Sequence, residues 1–273
     1  MDFDKIVSTT RQYNFHSHTQ FCDGRATMEV MARSAVEQGM RHYGFSPHSP
    51  IPFESPCNMS ADDVPAYIAE VERLKSLPEL ASCRFYAAME VDYTGSDWGP
   101  SSPCFASLPL DYIIGSVHFI PTQDGEPVDI DGAFENFKRR MTDRFRGDID
   151  YVVDTFFSQT RDMIEAGGFD ILGHVDKVGH NASDYAPGIE DGQHYRGWMR
   201  TILDLIESKN LVIELNTKAY AQCGRFFPGE RYLPELVASG VRILVNSDAH
   251  YPERITASRV EAFRILDRLR HEN

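Results

Sequence analysis

NFHSHTQFCD, residues 14–23, ends a short apolar run with two histidines, His16 and His18, and places Asp23 five residues further on. Side chains two residues apart on a strand point to the same side, so both imidazoles are predicted to face one direction. A single pair of this kind also occurs often by chance. Its meaning therefore depends on what the rest of the chain brings beside it.

Seven runs of this kind recur along the chain, each rich in β-branched, aromatic or leucine residues and each ending in polar residues. They are RQYNFHSHT (11–19), RHYGFSPHS (41–49), RFYAAMEVDY (84–93), DYIIGSVHFI (111–120), FDILGHVDKV (169–178), NLVIELNT (210–217) and RILVNSDAH (242–250). Such runs predict strands, and near-continuous apolar strands suit a sheet covered on both faces.

Helix-like segments lie between most of these runs. Residues 27–40 place apolar side chains on one side and end near Gly39, which suits a helix C-terminus. Residues 60–77, with Pro65 near the start, and residues 256–269 are further amphipathic segments. Strands that alternate with helices predict parallel β/α architecture.

We therefore predict an α/β fold: a distorted (β/α)7 TIM-like barrel formed by residues 1–273 as a single domain. An open doubly wound sheet is the alternative. Residues 121–168, after the fourth strand, are predicted to form an excursion that contains a helix near 150–166 and could act as a lid.

The overall charge and the cysteines restrict the class of protein. The formal net charge is −14 and the sequence pI is about 5.1, which disfavours nonspecific binding to nucleic acid or to an anionic membrane. The five cysteines are scattered without a CxxC pair, which is typical of reduced thiols in a cytoplasmic protein. The N-terminus resembles no signal peptide, and no apolar run is long enough to cross a bilayer.

Imidazoles and carboxylates recur where the predicted strands end. They are His16, His18, His48, Glu90, His118, His174, Asp248 and His250, with Asp23 just after the first strand. Because the C-terminal ends of barrel strands converge on one face, these side chains are expected to meet there. Singly, each has a structural alternative: a hydrogen-bonded histidine, a turn at Asp23 or a helix cap at Asp248. Together they predict a metal site at the C-terminal strand ends.

The ordered set FHSHTQFCDG, GFSPHSP, AMEVDY, GSVHF, DILGHVD, ELNT and NSDAH resembles the polymerase and histidinol phosphatase (PHP) superfamily of metal-dependent phosphoesterases. It most resembles the monofunctional histidinol-phosphate phosphatases. The resemblance implies a distorted seven-stranded barrel with up to three metal ions. It implies one ion held by His16, His18, Glu90 and Asp248, a second by Glu90, His118 and His174, and a third by Asp23, His48 and His250.

The resemblance also implies that Arg225 binds the substrate phosphate, since a guanidinium fork suits phosphate oxygens, although a surface arginine is the alternative. Pro47 precedes His48 where many superfamily members have aspartate. Support for His48 is therefore expected to differ.

Imidazoles with carboxylates suit Zn²⁺, Fe²⁺ or Mn²⁺, and two or three such ions are the predicted cofactors. With three dications the cluster would carry about +3, which favours a phosphate dianion. Our hypothesis is in-line attack on phosphorus by a hydroxide bridging two metals. The leaving alkoxide would then be protonated by an acid of the cluster, for which Asp248 and His250 are the predicted catalytic residues, or by metal-bound water.

The sequence thus predicts a metal-dependent phosphomonoesterase acting on L-histidinol phosphate, as in histidine biosynthesis. The predicted partner is a small phosphorylated substrate, with neither nucleic acid nor membrane. A phosphatase for a sugar phosphate or nucleotide, a nuclease and a metal-bound regulatory protein are the alternatives. Asp92, Asp176 and Glu54 are candidates to bind the ammonium group of histidinol. Metal identity and oligomeric state are left open.

Overall fold

The computed structural model describes residues 1–272, and its central feature is a seven-stranded parallel sheet curled into a nearly closed barrel. The strands follow one another in chain order: β1 Tyr13–Asn14, β2 His42–Phe45, β3 Arg84–Asp92, β4 Tyr112–Ser116, β7 Ile171–Leu172, β8 Val212–Asn216 and β9 Arg242–Asn246. Two further strands, β5 Phe119–Pro121 and β6 Pro127–Asp129, form an antiparallel hairpin. The predicted barrel is confirmed, because an open doubly wound sheet would require the strand order to reverse.

Helices surround the barrel. They are α1 Phe3–Thr9, α2 Met28–Glu37, α3 Val64–Lys75, α4 Pro103–Ala106, α5 Phe134–Asp143, α6 Ile149–Ala166, α7 Val178–Tyr185, α8 Gln193–Ser208, α9 Tyr220–Cys223, α10 Leu233–Ala238 and α11 Arg259–Glu272. Within residues 1–272 none of these helices has both the length and the apolar character needed to span a bilayer.

The helix predictions are confirmed with shifted ends. The helix predicted over 27–40 is α2, and Gly39 follows it with a φ of 77°, a backbone conformation that glycine adopts without strain. The helix expected near 150–166 is α6. The segment 60–77 opens as a 3-10 turn before α3 begins, with Pro65 in the first turn of that helix.

The predicted strands are too long at their C-terminal ends. The fourth run, predicted over 111–120, stops at Ser116, because the Asp92 carboxylate accepts the backbone N–H of His118 at 3.1 Å and turns the chain away from the sheet. The fifth run, predicted over 169–178, keeps only two residues in strand geometry. The residues beyond the strands are thereby free to form the loops that carry the polar side chains.

The barrel closes between β1 and β9 with little regular pairing. Ser17 and Ala249 form one isolated parallel bridge beyond the strand ends. The Asn246 amide oxygen accepts the backbone N–H of Phe15 at 2.9 Å, so a side chain replaces a backbone carbonyl at this seam. The seam therefore fixes the loop that contains His16 and His18.

Aromatic side chains fill the N-terminal end of the barrel. Phe15 packs edge-on against Phe3 of α1 and against Tyr112, with ring centroids 5.3 and 5.8 Å apart. The Tyr112 hydroxyl donates to the Phe15 carbonyl at 2.5 Å, and Gly44 leaves the space that this hydroxyl occupies. The polar cluster lies at the opposite end, in the loops that follow the strands.

Candidate metal centre

The loops at the C-terminal ends of the strands bring all nine predicted ligand side chains into one cluster. Its members are His16, His18, Asp23, His48, Glu90, His118, His174, Asp248 and His250. All are buried except Asp23 and His250, which are partly exposed. Buried imidazoles and carboxylates in this number are rare without a ligand or ion to bind.

Glu90, near the end of β3, lies at the centre of the cluster. Its Oε2 atom is 3.1 Å from Nδ1 of His48, 3.2 Å from Nε2 of His16 and 3.5 Å from Nε2 of His18. A carboxylate oxygen that faces three imidazole nitrogens is in a suitable position for a ligand that bridges metal ions.

The other Glu90 oxygen, Oε1, faces the remaining side of the barrel. It lies 2.8 Å from Nε2 of His174 and 3.6 Å from Nε2 of His118. The two imidazole nitrogens are themselves 3.2 Å apart. Glu90 thus stands between two groups of histidines, as a shared ligand requires.

Asp248 joins the first group to the outer residues. Its Oδ1 atom lies 3.0 Å from Nε2 of His18 and 3.4 Å from Nδ1 of His250. His250 Nε2 is 3.2 Å from Oδ1 of Asp23. Gly24 follows Asp23 in a tight turn, where a Cβ atom would collide with the backbone of Thr19. This turn holds Asp23 against the cluster.

Unsatisfied atoms provide a test of whether a metal fits. Six buried nitrogen or oxygen atoms of the cluster have no hydrogen-bond partner: Nε2 of His16, Nε2 of His18, Nδ1 of His48, Nδ1 of His174, Oε2 of Glu90 and Oδ1 of Asp23. Buried polar atoms are normally satisfied, so these unpartnered atoms are available to bind an ion. The donor set fits divalent transition metals.

The possible metal ligands form three overlapping groups, with ligand atoms within 4.8 Å of one another. They are His16, His18 and Asp248; His48, Glu90 and His118; and His18, Asp23, His48 and His250. His48 belongs to both the second and the third group, and His18 belongs to both the first and the third. In the sets that the family resemblance implies, neither histidine is shared.

The electrostatics of the cluster favour metal binding by the carboxylates. Burial alone would raise the pKa of Glu90, but the surrounding histidines, His16 and His48 foremost, hold it well below its ordinary value. Burial would likewise raise the pKa of Asp248, but Lys218 and His16 hold it well below its usual range. Both groups are therefore anionic near neutral pH.

The imidazoles differ among themselves. Burial lowers the pKa of His48 to about 4, against the opposing effect of Glu90. Burial and the neighbouring His250 hold the pKa of His18 well below its ordinary value. At His118 burial is outweighed by the Asp92 and Glu90 carboxylates, which raise its pKa to about 9. Metal binding would therefore displace a proton from His118 but not from His18 or His48.

Carboxylates behind the cluster orient two of its histidines. Glu214 of β8 accepts a hydrogen bond from Nδ1 of His16 at 2.8 Å, and Asp92 accepts one from Nδ1 of His118 at 2.8 Å. Such bonds fix the tautomer that leaves Nε2 free for a metal. Glu214 was not predicted as a site residue, and Asp92 was predicted to bind the ammonium group of histidinol instead.

Two lysines beside the cluster were also missed. The Lys177 ammonium lies 3.4 Å from Nε2 of His118 and 2.7 Å from Oδ2 of Asp131. The Lys218 ammonium lies 3.3 Å from Oδ1 of Asp248 and 3.4 Å from Nε2 of His250. Each lysine directly follows a strand-end motif, DILGHVD or ELNT, which is the one sequence signal that could have indicated it.

Two cavities flank Asp23. The first, of about 210 Å³, is called the basic cavity here, and its wall includes Arg25, Lys218, Asp248, His250 and Arg254. The second, of about 100 Å³, is called the acidic cavity, and its wall includes His48, His118, Phe119, Asp129 and Asp131. Both therefore open directly onto cluster residues.

Arg225 lies apart from both cavities. Its guanidinium pairs with Glu190 at 2.6 Å and with Asp176 at 3.2 Å, and its Nε atom is buried without a hydrogen-bond partner. Asp176 is itself fully buried, and Glu54 is exposed on the loop after Pro50. The Pro47 carbonyl accepts the backbone N–H of Glu90 at 3.0 Å, which ties the His48 loop to β3.

The chain resembles known proteins in both sequence and fold. The PHP domain profile matches residues 14–218. A histidinol phosphatase candidate, HisK, from Listeria monocytogenes has 19% sequence identity and a TM-score of 0.79, covering 91% of this chain and 99% of its own. Histidinol phosphate phosphatase (HisK) from Lactococcus lactis, complexed with zinc, L-histidinol and phosphate, has 18% identity and a TM-score of 0.67, covering 95% and 94%. No curated protein sequence matches the chain.

Proposed function

Because the chain belongs to the PHP-domain family, we propose that it is a metal-dependent phosphomonoesterase whose substrate is L-histidinol phosphate. The products would be L-histidinol and inorganic phosphate. The observation that carries the proposal is the central position of Glu90, with imidazoles facing both of its oxygens and unsatisfied buried nitrogens of His16, His18 and His48 beside its Oε2 atom. This arrangement suits two or three divalent ions that share a carboxylate.

Bound metal ions would supply positive charge for the phosphoryl oxygens and lower the pKa of a coordinated water. The chain's own part is to hold these ions and to complete the positive charge. Lys177 lies beside His118, and Lys218 lies beside His250. Ammonium groups in these positions can donate hydrogen bonds to phosphoryl oxygens as negative charge develops in the transition state.

The acidic cavity suits the leaving group of histidinol phosphate. Its carboxylates, Asp129 and Asp131, lie beside His48 and His118, and Phe119 adds an aromatic surface. Histidinol carries an ammonium group and an imidazole, which carboxylates and an aromatic ring can both bind. The Lactococcus lactis protein, whose structure contains L-histidinol and phosphate, supports the choice of this ester.

Asp248 and His250 remain our proposed catalytic residues, and Arg225 remains a proposed phosphate ligand. Asp248 Oδ1 contacts both His18 and Lys218, so it can bind a metal and orient the lysine at once. The Nε–H group of Arg225 has no hydrogen-bond partner in the protein, so it could donate a hydrogen bond to a phosphate oxygen. The pairs with Glu190 and Asp176 would keep the guanidinium in place.

A substrate panel tests this function. Purified protein, loaded with Mn²⁺ or Zn²⁺ and with its metal content measured, is assayed for phosphate release from histidinol phosphate, a sugar phosphate and a nucleotide, and for cleavage of a single-stranded oligonucleotide. We expect histidinol phosphate to give the highest kcat/KM and the oligonucleotide to remain intact. Oligonucleotide cleavage without release of phosphate from any monoester would refute the proposal.

A variant pair links the reaction to the cluster. His16→Ala should lower kcat by at least about 10³-fold and reduce bound metal, since a ligand has been removed. His194→Ala, which alters an exposed histidine of α8 outside the cluster, is the matched control and should behave as wild type. Full activity in His16→Ala would contradict the assignment of the site.

A further inference from the structure

The basic cavity has no part in the proposed binding of histidinol. It contains about 210 Å³ and reaches the metal centre through Asp23 and His250. Its other wall carries the cationic side chains of Arg25, Lys218 and Arg254. Three cations around one small cavity are unexpected in a chain with a formal net charge of −14.

The charges of this cavity are poorly balanced by the protein. Within residues 1–272 the guanidinium groups of Arg25 and Arg254 form no ion pair, whereas Lys218 contacts Asp248 at 3.3 Å. When Asp23 and Asp248 bind metal ions, their negative charge is offset by those ions. The cavity then attracts anions and repels a cationic group such as the histidinol ammonium.

The backbone that carries the two arginines is well anchored. The backbone N–H of Arg25 donates to the carbonyl of His250 at 2.8 Å, which places Arg25 against the metal-centre loop. Arg254 ends a 3-10 turn, Pro252–Arg254, and the Pro252 carbonyl accepts a hydrogen bond from the Gln38 amide at 2.8 Å. The arginines are therefore presented by ordered loops that converge on one cavity.

We propose that Arg25 and Arg254 make the part of the basic cavity that they line an oxyanion subsite, separate from the position of the cleaved phosphoryl group, which Lys218 faces. Guanidinium and ammonium groups bind carboxylate and phosphate oxygens through charge-assisted hydrogen bonds. The oxyanion has two chemical sources: a second phosphate or carboxylate on the substrate, or free inorganic phosphate. The inference rests on the proposed function for the place of the cleaved group, but anion binding can be measured without turnover.

Calorimetric titration of the Mn²⁺-loaded protein tests the subsite directly. The ligands are 3-phosphonopropionate and propylphosphonate, which differ by a carboxylate in place of a methyl group. We expect the carboxylated ligand to bind at least about tenfold more tightly, as a charge-assisted contact would provide. The Arg25→Met/Arg254→Met double variant should lose this preference at an unchanged melting temperature, because both side chains are exposed.

Arg41→Met is the matched control, since Arg41 is an exposed arginine next to the N-terminal end of β2, away from the metal centre. It should keep the preference for the carboxylated ligand. Equal affinity of the wild type for both phosphonates would overturn the proposal. So would a preference that survives in the double variant.

Kinetics separate the two sources of the oxyanion. If the source is the substrate, the double variant lowers kcat/KM for 3-phosphoglycerate by about tenfold relative to glycerol 3-phosphate. If the source is free phosphate, the double variant instead raises the constant for inhibition of histidinol phosphate hydrolysis by phosphate. A double variant that changes neither quantity refutes the subsite. Absence of all hydrolysis contradicts the proposed function alone and leaves the phosphonate comparison as the test of the subsite.

Discussion

Replacement of Glu214 by glutamine probes how the protein prepares a histidine for metal binding. Glu214 is fully buried, and its Oε1 accepts the Nδ1–H of His16 at 2.8 Å. Its Oε2 accepts the backbone N–H of His174 at 3.2 Å and the side-chain amide of Asn216 at 3.0 Å. Both oxygens of this carboxylate therefore act only as acceptors.

Glutamine has one oxygen and one NH2 group, so it cannot replace both acceptors. If the glutamine oxygen faces His16, its NH2 group faces the backbone N–H of His174 and the side-chain amide of Asn216, which are both donors. If it turns over, its NH2 group faces Nδ1 of His16, which must then be unprotonated, and the proton moves to Nε2, where a metal would bind. Loss of such an outer contact typically lowers metal affinity by 10–100-fold, or about 1.4–2.7 kcal/mol.

The assay is competition for Zn²⁺ or Mn²⁺ against a chelator of known affinity, followed by measurement of kcat at saturating metal. Glu214→Gln should bind metal about 10–100-fold more weakly and recover activity as the metal concentration is raised. Glu165→Gln, on the exposed surface of α6, serves as control and should match the wild type. Wild-type metal affinity in Glu214→Gln would refute the reasoning.

Three further predictions concern the lysine beside the cluster, its carboxylate and the metal itself. Lys177→Met should lower kcat by about 10² with unchanged metal content, because an ammonium donor near the phosphoryl position is lost; equal turnover in steady-state kinetics would contradict this. Burial would raise the pKa of Asp131, but Lys177 holds it below its ordinary value. The ion pair therefore stabilises the fold above the unfolded carboxyl pKa of about 3.9, and this contribution is lost as the pH falls. In urea unfolding of chelator-treated protein, Asp131→Asn should therefore cost about 1 kcal/mol at pH 7 and less below about pH 4, whereas a cost independent of pH would exclude this pair as the cause. Removing metal with a chelator should lower the melting temperature and adding Mn²⁺ or Zn²⁺ should restore it, since ligand at 100 times its Kd stabilises by about 2.7 kcal/mol; identical melting curves would argue against a metal held by the folded state.

The barrel could be predicted from the sequence because its signals are local. Each of the seven runs carries its own apolar pattern, and the polar residues at their ends fall on one face by the geometry of parallel strands. The hairpin formed by β5 and β6 was not predicted, because Phe119 and Ile120 continue the apolar run of β4 without a turn signal between them. In the structure the chain leaves the sheet where the backbone N–H of His118 donates to the Asp92 carboxylate.

The residues behind the cluster could not be found in the same way, because their partners lie far away in sequence. Glu214 is separated from His16 by 198 residues, and within NLVIELNT it resembles any carboxylate near a strand end. Lys177 and Lys218 follow strand-end motifs, but a lysine at such a position usually extends into solvent. Their contacts with His118 and Asp248 depend on the folded loops.

Anomalous diffraction from crystals grown with Mn²⁺ or Zn²⁺ is the most direct test of the metal centre. We predict at least two peaks about 3.5–4 Å apart, with Glu90 between them and His16 and His174 on opposite sides. A single peak outside this cluster, or no peak in protein that remains active, would contradict the account.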